Sequence, residues 1–476
     1  MTHRTHILRF PAQLRSAHGF TLVELMIAMT ISLLLMTALV AVFVNSSRSS
    51  NELAKTNSMI DNGRFAAQLL QSDISHAGYW GGYVPQFDDL TATAVPGDVP
   101  AAVPNPCQPY ATWDSDYVTA TIGIPVQSYD TLPVGAGCLA PLAQTPGTDV
   151  LLVRHAEVCL PGAANCDPNV PGALYFQTSF CGAEQNAGSA QTGSANTITL
   201  ASTASSTAGA YVGLMLHITG GTGAGQFRQV SSYDNSDVAT VNLPWTLGVP
   251  DSSSTYVFAY VLGTSSYPLY KRNCVGTGAP PTLPITAGTI SDRRKFISNL
   301  YYVSNIPNPD FPGQVVPTLV RSQFDLAGAT LAQQAPVALI DGVEQFRVVI
   351  GVDDVSKSGA PVDYTGAVAW ADPNNLVLPT NRGDGVPDQY VRCTTAIPCT
   401  AQQLVNAVAV KIYVLVRDRD TSPGYTDTKT YCLGEPNPNG TCPAASQYTP
   451  NDNYKRHMFT TTVRIANVAG RRETPP

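Results

Sequence analysis

The sequence is poor in charged residues and rich in residues that break regular structure. Charged residues make up 13% of its 476 positions, while glycine and proline number 38 and 37. This composition is typical of a loop-rich β protein and disfavours a helical bundle. The formal net charge of −7 also disfavours general nucleic-acid binding, which depends on neutralising phosphates. We therefore expect no nucleic-acid partner.

Sequence motifs that carry catalysis or bind cofactors are missing. There is no Gly-x-Ser-x-Gly, no His-Glu-x-x-His and no phosphate-binding Gly-Lys-Ser/Thr, and the seven histidines show no metal-ligand spacing. The expectation is a protein that is not an enzyme and needs neither a cofactor nor a metal. One weak calcium candidate consists of Asn381, Asp384 and Asp388. A tight glycine-rich turn is the favoured interpretation there, because a full calcium shell needs more oxygen ligands.

Cysteine is absent from the first 100 residues and then occurs ten times, without a Cys-x-x-Cys pair. An even number at these spacings indicates structural disulfides formed in an oxidising compartment. The predicted pairs that close short loops rich in proline, glycine or asparagine are Cys159–Cys166, Cys393–Cys399 and Cys432–Cys442. By elimination the other pairs are Cys107–Cys138 and Cys181–Cys274, although spacing alone does not fix the connectivity.

Proline is also missing between Phe20 and Val84, where the longest apolar run begins. Residues 20–44 are long enough to span a bilayer, and the leader before them has three arginines and no acid. Within this run Glu24 is the only charged residue, and a carboxylate in hydrocarbon is costly and usually functional. A cleaved secretory signal has a shorter apolar region. A plain signal anchor explains the basic leader but not the acid.

The boundary Gly19-Phe20-Thr-Leu-Val-Glu24 resembles the type III signal of type IV pilins and type II secretion pseudopilins. The resemblance implies that a prepilin peptidase cleaves between Gly19 and Phe20 and methylates the new Phe20 amine. It also implies an assembly role for Glu24. In a bundle of such helices its carboxylate can meet the Phe20 amine of a neighbouring subunit, so that two charges that are costly in apolar surroundings compensate each other.

The residue composition and the hydrophobic pattern change along the chain and divide it into segments. Beyond residue 44 an apolar stripe at helical spacing continues through Leu53, Ile60, Ala67, Leu70 and Ile74. Residues 190–262 read as short alternating strands that resemble a small β module of phage-tail and other surface proteins. We predict an α+β, pilin-like fold in which a long N-terminal helix, membrane-spanning in its first half, packs on an antiparallel β-sheet with an inserted small β module. The predicted segments are the basic leader 1–19, the transmembrane or filament-core half of the helix 20–44, its amphipathic half 45–82, the first part of the globular head 83–189, the inserted module 190–262 and the C-terminal sheet 263–476.

Stretches downstream of the signal resemble PilW-type minor pilins, which are related to the J-type minor pseudopilins of type II secretion. They include Asp61-Asn-Gly-Arg-Phe65, Leu339-Ile-Asp-Gly-Val-Glu-Gln-Phe346 and Val408-Ala-Val-Lys-Ile-Tyr-Val-Leu-Val-Arg417. The resemblance implies a minor pilin that primes or caps type IV pilus assembly and supports attachment and twitching motility. The partners it implies are a prepilin peptidase, other minor pilins, the major pilin, a tip adhesin and the inner membrane.

The implied location is the bacterial inner membrane, crossed once before assembly, and then the pilus, with the head in the periplasm or outside the cell. Two alternatives stay open. The chain could be a minor pseudopilin of a type II secretion system, or it could be a membrane-anchored surface adhesin whose binding part is the segment 190–262.

Overall fold

The computed structural model describes Gly19, residues 21–133, Cys138, and residues 141–178, 187–265, 269, 291–308 and 312–473. Contacts divide the chain into two units, Met1–Asn57 and Ser58–Pro476. Helix α1, Leu22–His76, contributes residues to both units. The long N-terminal helix predicted from the apolar run is therefore confirmed.

The part of α1 in the first unit exposes a continuous apolar surface. Leu33 is 67% exposed and Phe43 is 73% exposed, and no glycine or proline interrupts the helix before Gly63. By length and composition this helix can cross a membrane. An apolar surface of this extent is not stable in water and requires lipid or other protein around it.

The part of α1 in the second unit buries one face against β structure. The buried positions recur every three or four residues, as expected for one side of a helix. They are Met59, Gly63, Ala66, Leu70 and Ile74. In the main core, Leu70 and Ile74 join Tyr301, Phe346 and Ile412, each less than 2% exposed.

Gly63 allows a close approach between α1 and the sheet, and replacing it with alanine should destabilise the protein. A Cβ atom at Gly63 would lie 1.9 Å from Cε2 of Phe459, so the ring would have to move. Overpacking of this kind costs about 1–3 kcal/mol, more than the roughly 1 kcal/mol gained in helix propensity. The matched control is Gly470→Ala in the C-terminal helix Ala466–Arg472, where nothing lies within 4 Å of the new Cβ. Urea unfolding of the two variants should show a lower midpoint only for Gly63→Ala, and equal midpoints would contradict the packing argument.

The strands of the second unit pair antiparallel throughout the described residues. The first three are β1 (Val126–Tyr129), β2 (Val150–Ala156) and β3 (Tyr175–Thr178). The next seven are β4 (Ala187–Ser189), β5 (Thr192–Ser194), β6 (Thr197–Thr199), β7 (Met215–Gly220), β8 (Phe227–Tyr233), β9 (Val238–Val241) and β10 (Thr255–Gly263). They are followed by β11 (Arg294–Pro307), β12 (Val315–Ala327), β13 (Thr330–Gln333), β14 (Val337–Asp341) and β15 (Val343–Val352).

The remaining strands lie near the C-terminus. They are β16 (Trp370–Asp372), β17 (Asn375–Pro379), β18 (Gln389–Val391), β19 (Ala407–Arg417), β20 (Tyr431–Cys432), β21 (Gln447–Tyr448) and β22 (Arg456–Arg464). Besides α1, the α-helices of the described residues are α2 (Ser115–Gly123), α3 (Ala401–Val405) and α4 (Ala466–Arg472), and single 3₁₀ turns occur at Gln86–Asp88, Tyr110–Thr112 and Ala444–Ser446.

Two sheets dominate the fold. The larger runs in the order β1-β2-β11-β3-β10-β7-β8-β9-β6-β5, and the other is the four-stranded sheet β18-β15-β19-β22. A long helix on antiparallel sheets is an α+β arrangement, so the predicted fold class is confirmed.

Strands β5 to β10 surround an apolar core of their own. Leu216, Ile218 and Phe258 are fully buried there, together with Ile198 and Tyr256. The larger sheet nevertheless continues out of this region, because β10 pairs with β7 on one side and with β3 on the other. The region is therefore joined to the rest of the unit by backbone hydrogen bonds.

Candidate assembly site at the N-terminus

Helix α1 begins with a capping box that involves Glu24. The backbone N–H and the hydroxyl of Thr21 donate to Oε2 of Glu24 at 2.9 and 2.8 Å, and the Glu24 N–H donates back to Thr21 Oγ1 at 3.3 Å. The pattern Thr-x-x-Glu satisfies amide groups that otherwise lack partners at a helix N-terminus. A carboxylate in the first turn also interacts favourably with the helix dipole.

Glu24 stands out because it is charged, whereas the other polar side chains of the apolar segment are neutral hydroxyls. The hydroxyls of Thr30, Ser32 and Thr37 donate to backbone carbonyls three or four residues earlier in the helix. Backbone and side-chain polar groups in lipid must be satisfied within the segment in this way. Glu24 alone carries a charge between residues 22 and 44.

The two residues of the predicted processing site precede this box. Gly19 is exposed, and nothing lies within 4 Å of the position that a Cβ atom would take there. Phe20 lies outside the described residues. Cleavage between Gly19 and Phe20 and methylation of Phe20 stay predictions.

Disulfides are present in the second unit. The bonded pairs among the described cysteines are Cys107–Cys138, Cys159–Cys166, Cys393–Cys399 and Cys432–Cys442. Their Cα–Cα distances of 5.0 to 5.8 Å are normal for disulfides. The predicted partners Cys181 and Cys274 lie outside the described residues.

The calcium candidates use their side-chain oxygens for backbone hydrogen bonds. Asn381 Oδ1 accepts from the Ala369 N–H, Asp384 Oδ1 accepts from the Val386 N–H, and Asp388 Oδ2 accepts from the Val355 N–H. Within the described parts of the chain, no group of three or more His, Cys, Asp or Glu side chains is arranged to hold a metal ion. Of the three, Asp384 makes a local turn contact two residues along the chain, whereas Asn381 and Asp388 join segments that are distant in sequence.

A second polar site, not predicted from the sequence, lies beside the end of α1. The carboxylate of Asp73 accepts hydrogen bonds from His155 Nε2 at 2.9 Å, Asn299 Nδ2 at 3.0 Å and the Tyr301 hydroxyl at 2.9 Å. The pair Asp73–His155 is largely buried, with side-chain exposures of 13% and 9%. Both residues line a groove of about 610 Å³, together with Phe65.

The environment of this pair stabilises its charged form. Burial alone would raise the pKa of Asp73, but the hydrogen bond and charge of His155, with Asn299 and Tyr301, outweigh burial and hold the pKa below its usual 3.8. Burial would likewise lower the pKa of His155, but the hydrogen bond and charge of Asp73 hold it above 6.5. The ion pair therefore locks the end of α1 to β2 and β11.

We expect this pair to stabilise the protein in a defined pH window. The stability contributed by His155 is fully present below pH 6.5 and is lost as the pH rises through the raised pKa of His155 in the folded state. The stability contributed by Asp73 is present above pH 3.8 and is lost as the pH falls through the lowered pKa of Asp73 in the folded state. The free energy of unfolding of wild type minus that of His155→Gln should be largest between about pH 4 and 6.5 and should shrink towards pH 9. A difference that does not vary with pH would show that the ion pair contributes no charge-dependent stability.

Comparison with known proteins finds family similarity in two parts of the chain. Residues 300–467 match the family model of the type IV pilus-assembly protein W, and residues 14–40 match the prokaryotic N-terminal methylation motif. A solved type IV-like pilin from Thermus thermophilus is similar at 16% identity over 37% of this chain and 79% of that chain, with a TM-score of 0.14. No curated protein matches the sequence. The two family models confirm the resemblance to PilW-type minor pilins.

Proposed function

We propose that this chain, with a pilus-assembly protein W domain and a prepilin methylation motif, is a non-enzymatic minor pilin that primes or caps a type IV pilus. The observation that carries the proposal is the capped, exposed apolar segment of α1, residues 22–44, in which Glu24 is the only charged residue and which lies where the methylation motif matches. The match to a pilus-assembly family over β11 to β22 favours a pilus over a secretion machine.

The capping box supports an assembly mechanism in two states. In the single subunit, both bonds from Thr21 go to Oε2 of Glu24, and Oε1 accepts no hydrogen bond from the described residues. A carboxylate has about four acceptor positions, so Oε1 can accept from the Phe20 amine of a neighbour without breaking the box. The box also fixes the rotamer of Glu24, which lowers the entropy lost when the neighbour binds.

The same charge sets the register between subunits. A neighbour displaced along the helix would leave an amine or a carboxylate unpaired among apolar side chains, at a cost of several kcal/mol by order of magnitude. Before assembly the exposed surface of residues 22–44 lies in the inner membrane, where Glu24 sits near the end of the span and remains close to water. The head then lies in the periplasm and later on the pilus. The proposed partners are the prepilin peptidase, other minor pilins, the major pilin and a tip adhesin.

We also propose that residues 190–262 are an insertion into a pilin head. The separate apolar core of β5 to β10 supports this.

Deleting the whole segment would remove most of β10 and expose its partner β3, so a deletion limited to β5–β9 is the better test of an adhesive role. Gly97 lies against Gly225 so closely that a Cβ atom would be 1.4 Å from the Gly225 carbonyl oxygen. The region is therefore docked on the head, and its removal needs a check of folding.

The experiment that tests the proposal is N-terminal mass spectrometry of this protein from sheared surface fibres. We expect a chain that starts at methylated Phe20. The control is Gly19→Val, which should keep the leader and stay in the membrane fraction. An intact leader on the wild-type protein in every fraction, or its complete absence from fibres, would overturn the assignment.

A further inference from the structure

Strand β22 forms one edge of the four-stranded sheet β18-β15-β19-β22, and among the described strands it pairs with β19 alone. It has nine residues, whereas the strands at the other ends of the two main sheets, β1, β5 and β18, have three or four. Its pairing with β19 continues over nine residue pairs without a register shift. β22 is therefore a long and regular edge.

The hydrogen bonds at the two ends of β22 show which of its backbone groups face outward. The Asp418 N–H donates to the Lys455 carbonyl at 3.0 Å. At the other end, the Ile465 N–H donates to the Val408 carbonyl at 2.8 Å. Hydrogen-bonded positions alternate along an antiparallel pair, so the odd-numbered residues of β22 bond to β19. The even-numbered residues direct their N–H and carbonyl groups away from β19.

Three central residues of β22 thus present backbone groups along its outer edge. The N–H and carbonyl groups of Met458, Thr460 and Thr462 bond to none of the residues that the structure describes. The side chains of Thr460 and Thr462 are exposed. Donors and acceptors alternate along this edge at the spacing of a strand, so another extended backbone is the protein partner that matches the whole row.

The usual protections of an exposed edge are missing from the centre of β22. Natural edge strands are blunted by proline, bulges, charged side chains or short length. Residues 458–463 contain no proline and no charged residue. The arginines at the two ends of the strand, Arg456 and Arg464, form ion pairs with Glu344 and Glu473. The centre of this edge is therefore open to pairing with a further strand.

We infer that β22 accepts an extended strand of a neighbouring pilus subunit, which continues the four-stranded sheet into that subunit. The inference rests on the proposed function, because it takes the neighbour from the assembled fibre. Backbone hydrogen bonds supply the affinity, and the side chains that lie opposite Thr460 and Thr462 supply the selectivity. The best-fitting segment is uncharged and rich in threonine or other β-branched residues, because such cross-strand pairs are favourable.

A second copy of this chain fits the edge less well. Two β22 strands that pair Met458, Thr460 and Thr462 among themselves must be centred on Thr460. That register places Arg456 of one copy opposite Arg464 of the other, and like charges directly opposite each other are destabilising. The occupant is therefore a strand of a different subunit.

The first arm of the test measures hydrogen exchange of the wild-type, full-length protein in detergent micelles and in sheared fibres, by mass spectrometry at single-residue resolution. In micelles the outer amides of Met458, Thr460 and Thr462 should exchange quickly, and the inner amides of Phe459 and Thr461 slowly. In fibres the outer amides should exchange about tenfold more slowly or less, since each gains a hydrogen bond. Equal exchange of the outer amides in fibres and micelles would overturn the strand pairing. Slowing that already appears in micelles as the protein concentration rises would overturn the partner assignment and indicate a second copy.

The second arm uses proline, which removes the outer N–H of Thr460 without removing a bond to β19 and is compatible with such edge positions. Thr460→Pro should lower the amount of subunit recovered in fibres about tenfold or more, because the central bond is lost and the ring obstructs the incoming strand. The matched control is Thr460→Val, which keeps the N–H and should be recovered as wild type. Normal recovery of Thr460→Pro would overturn the inference. If the urea midpoint in micelles shows that Thr460→Pro is unfolded, the exchange of the wild-type amides decides.

The two proposals fail separately. A wrong function shows as an unprocessed leader on the wild-type protein. A wrong edge shows as unchanged exchange of the outer amides in subunits that are processed and present in fibres.

Discussion

Replacing Glu24 with alanine should leave the protein in the membrane and remove it from fibres. The apolar run from Leu22 to Val44 is unchanged by the substitution, so insertion should proceed normally. What is lost is the only charge that can compensate a neighbour's Phe20 amine, and an unpaired charge in that setting costs several kcal/mol by order of magnitude. We expect the fraction of subunit recovered in sheared fibres to fall at least tenfold, which corresponds to a loss of about 1.4 kcal/mol or more.

Variants of the capping box separate charge from helix capping. Glu24→Gln keeps a side chain that can complete the box but removes the charge, so its defect should match that of Glu24→Ala. Thr21→Ala removes the cap and keeps the charge, and it should cost about 1 kcal/mol of helix stability with a smaller effect on incorporation. Thr21→Ser should behave as wild type. Normal incorporation of Glu24→Gln in a strain that depends on this subunit would contradict charge pairing and leave capping as the role of Glu24.

The features that could be read from the sequence are local ones. The long helix, the α+β class and the N-terminal motif depend on residues near one another in the chain. The capping box also has a sequence signature, because Thr21 and Glu24 fit the Ser/Thr-x-x-Glu pattern before an apolar run.

The helix face was predicted only in part. The predicted stripe is buried at Leu70 and Ile74, whereas Leu53 is 62% exposed and Ile60 and Ala67 are not among the buried positions. The buried face instead includes Gly63 and Ala66, because small residues let the helix approach the sheet.

The polar sites of the head could not be predicted because their members are far apart in the sequence. Asp73 lies 82 positions from His155 and 226 from Asn299, and only the pairing of β2 with β11 brings these partners together. Such sites depend on strand order, which a single sequence does not specify.

Replacing Arg472 with methionine should destabilise the head more than any surface change. The guanidinium of Arg472 is 2% exposed and donates to Asp88 at 3.0 Å, to Asp353 at 3.2 Å and to the Val405 carbonyl at 3.0 Å. Burial would lower the pKa of Arg472, but the charges of Asp88, Tyr364 and Asp353 raise it, so the residue is charged throughout the physiological range. It therefore ties α4 to the segment after α1, to the end of β15 and to α3.

Methionine fills much of the same volume but removes the guanidinium that pairs with two buried carboxylates. Asp353 loses the cation beside it, and Asp88 keeps only Arg471, at 3.7 Å. Removing one partner of a buried ion pair costs about 3–5 kcal/mol, and we expect the urea midpoint to fall accordingly. The matched control is Arg464→Met, which breaks an ion pair with Glu473 whose side chains are 48% and 54% exposed, and which should cost at most about 1 kcal/mol. Adding Asp88→Asn and Asp353→Asn to Arg472→Met should recover part of the loss, because neutral amides are less costly to bury than unpaired carboxylates. If Arg472→Met were no more harmful than Arg464→Met, the buried charges would not hold α4 on the head.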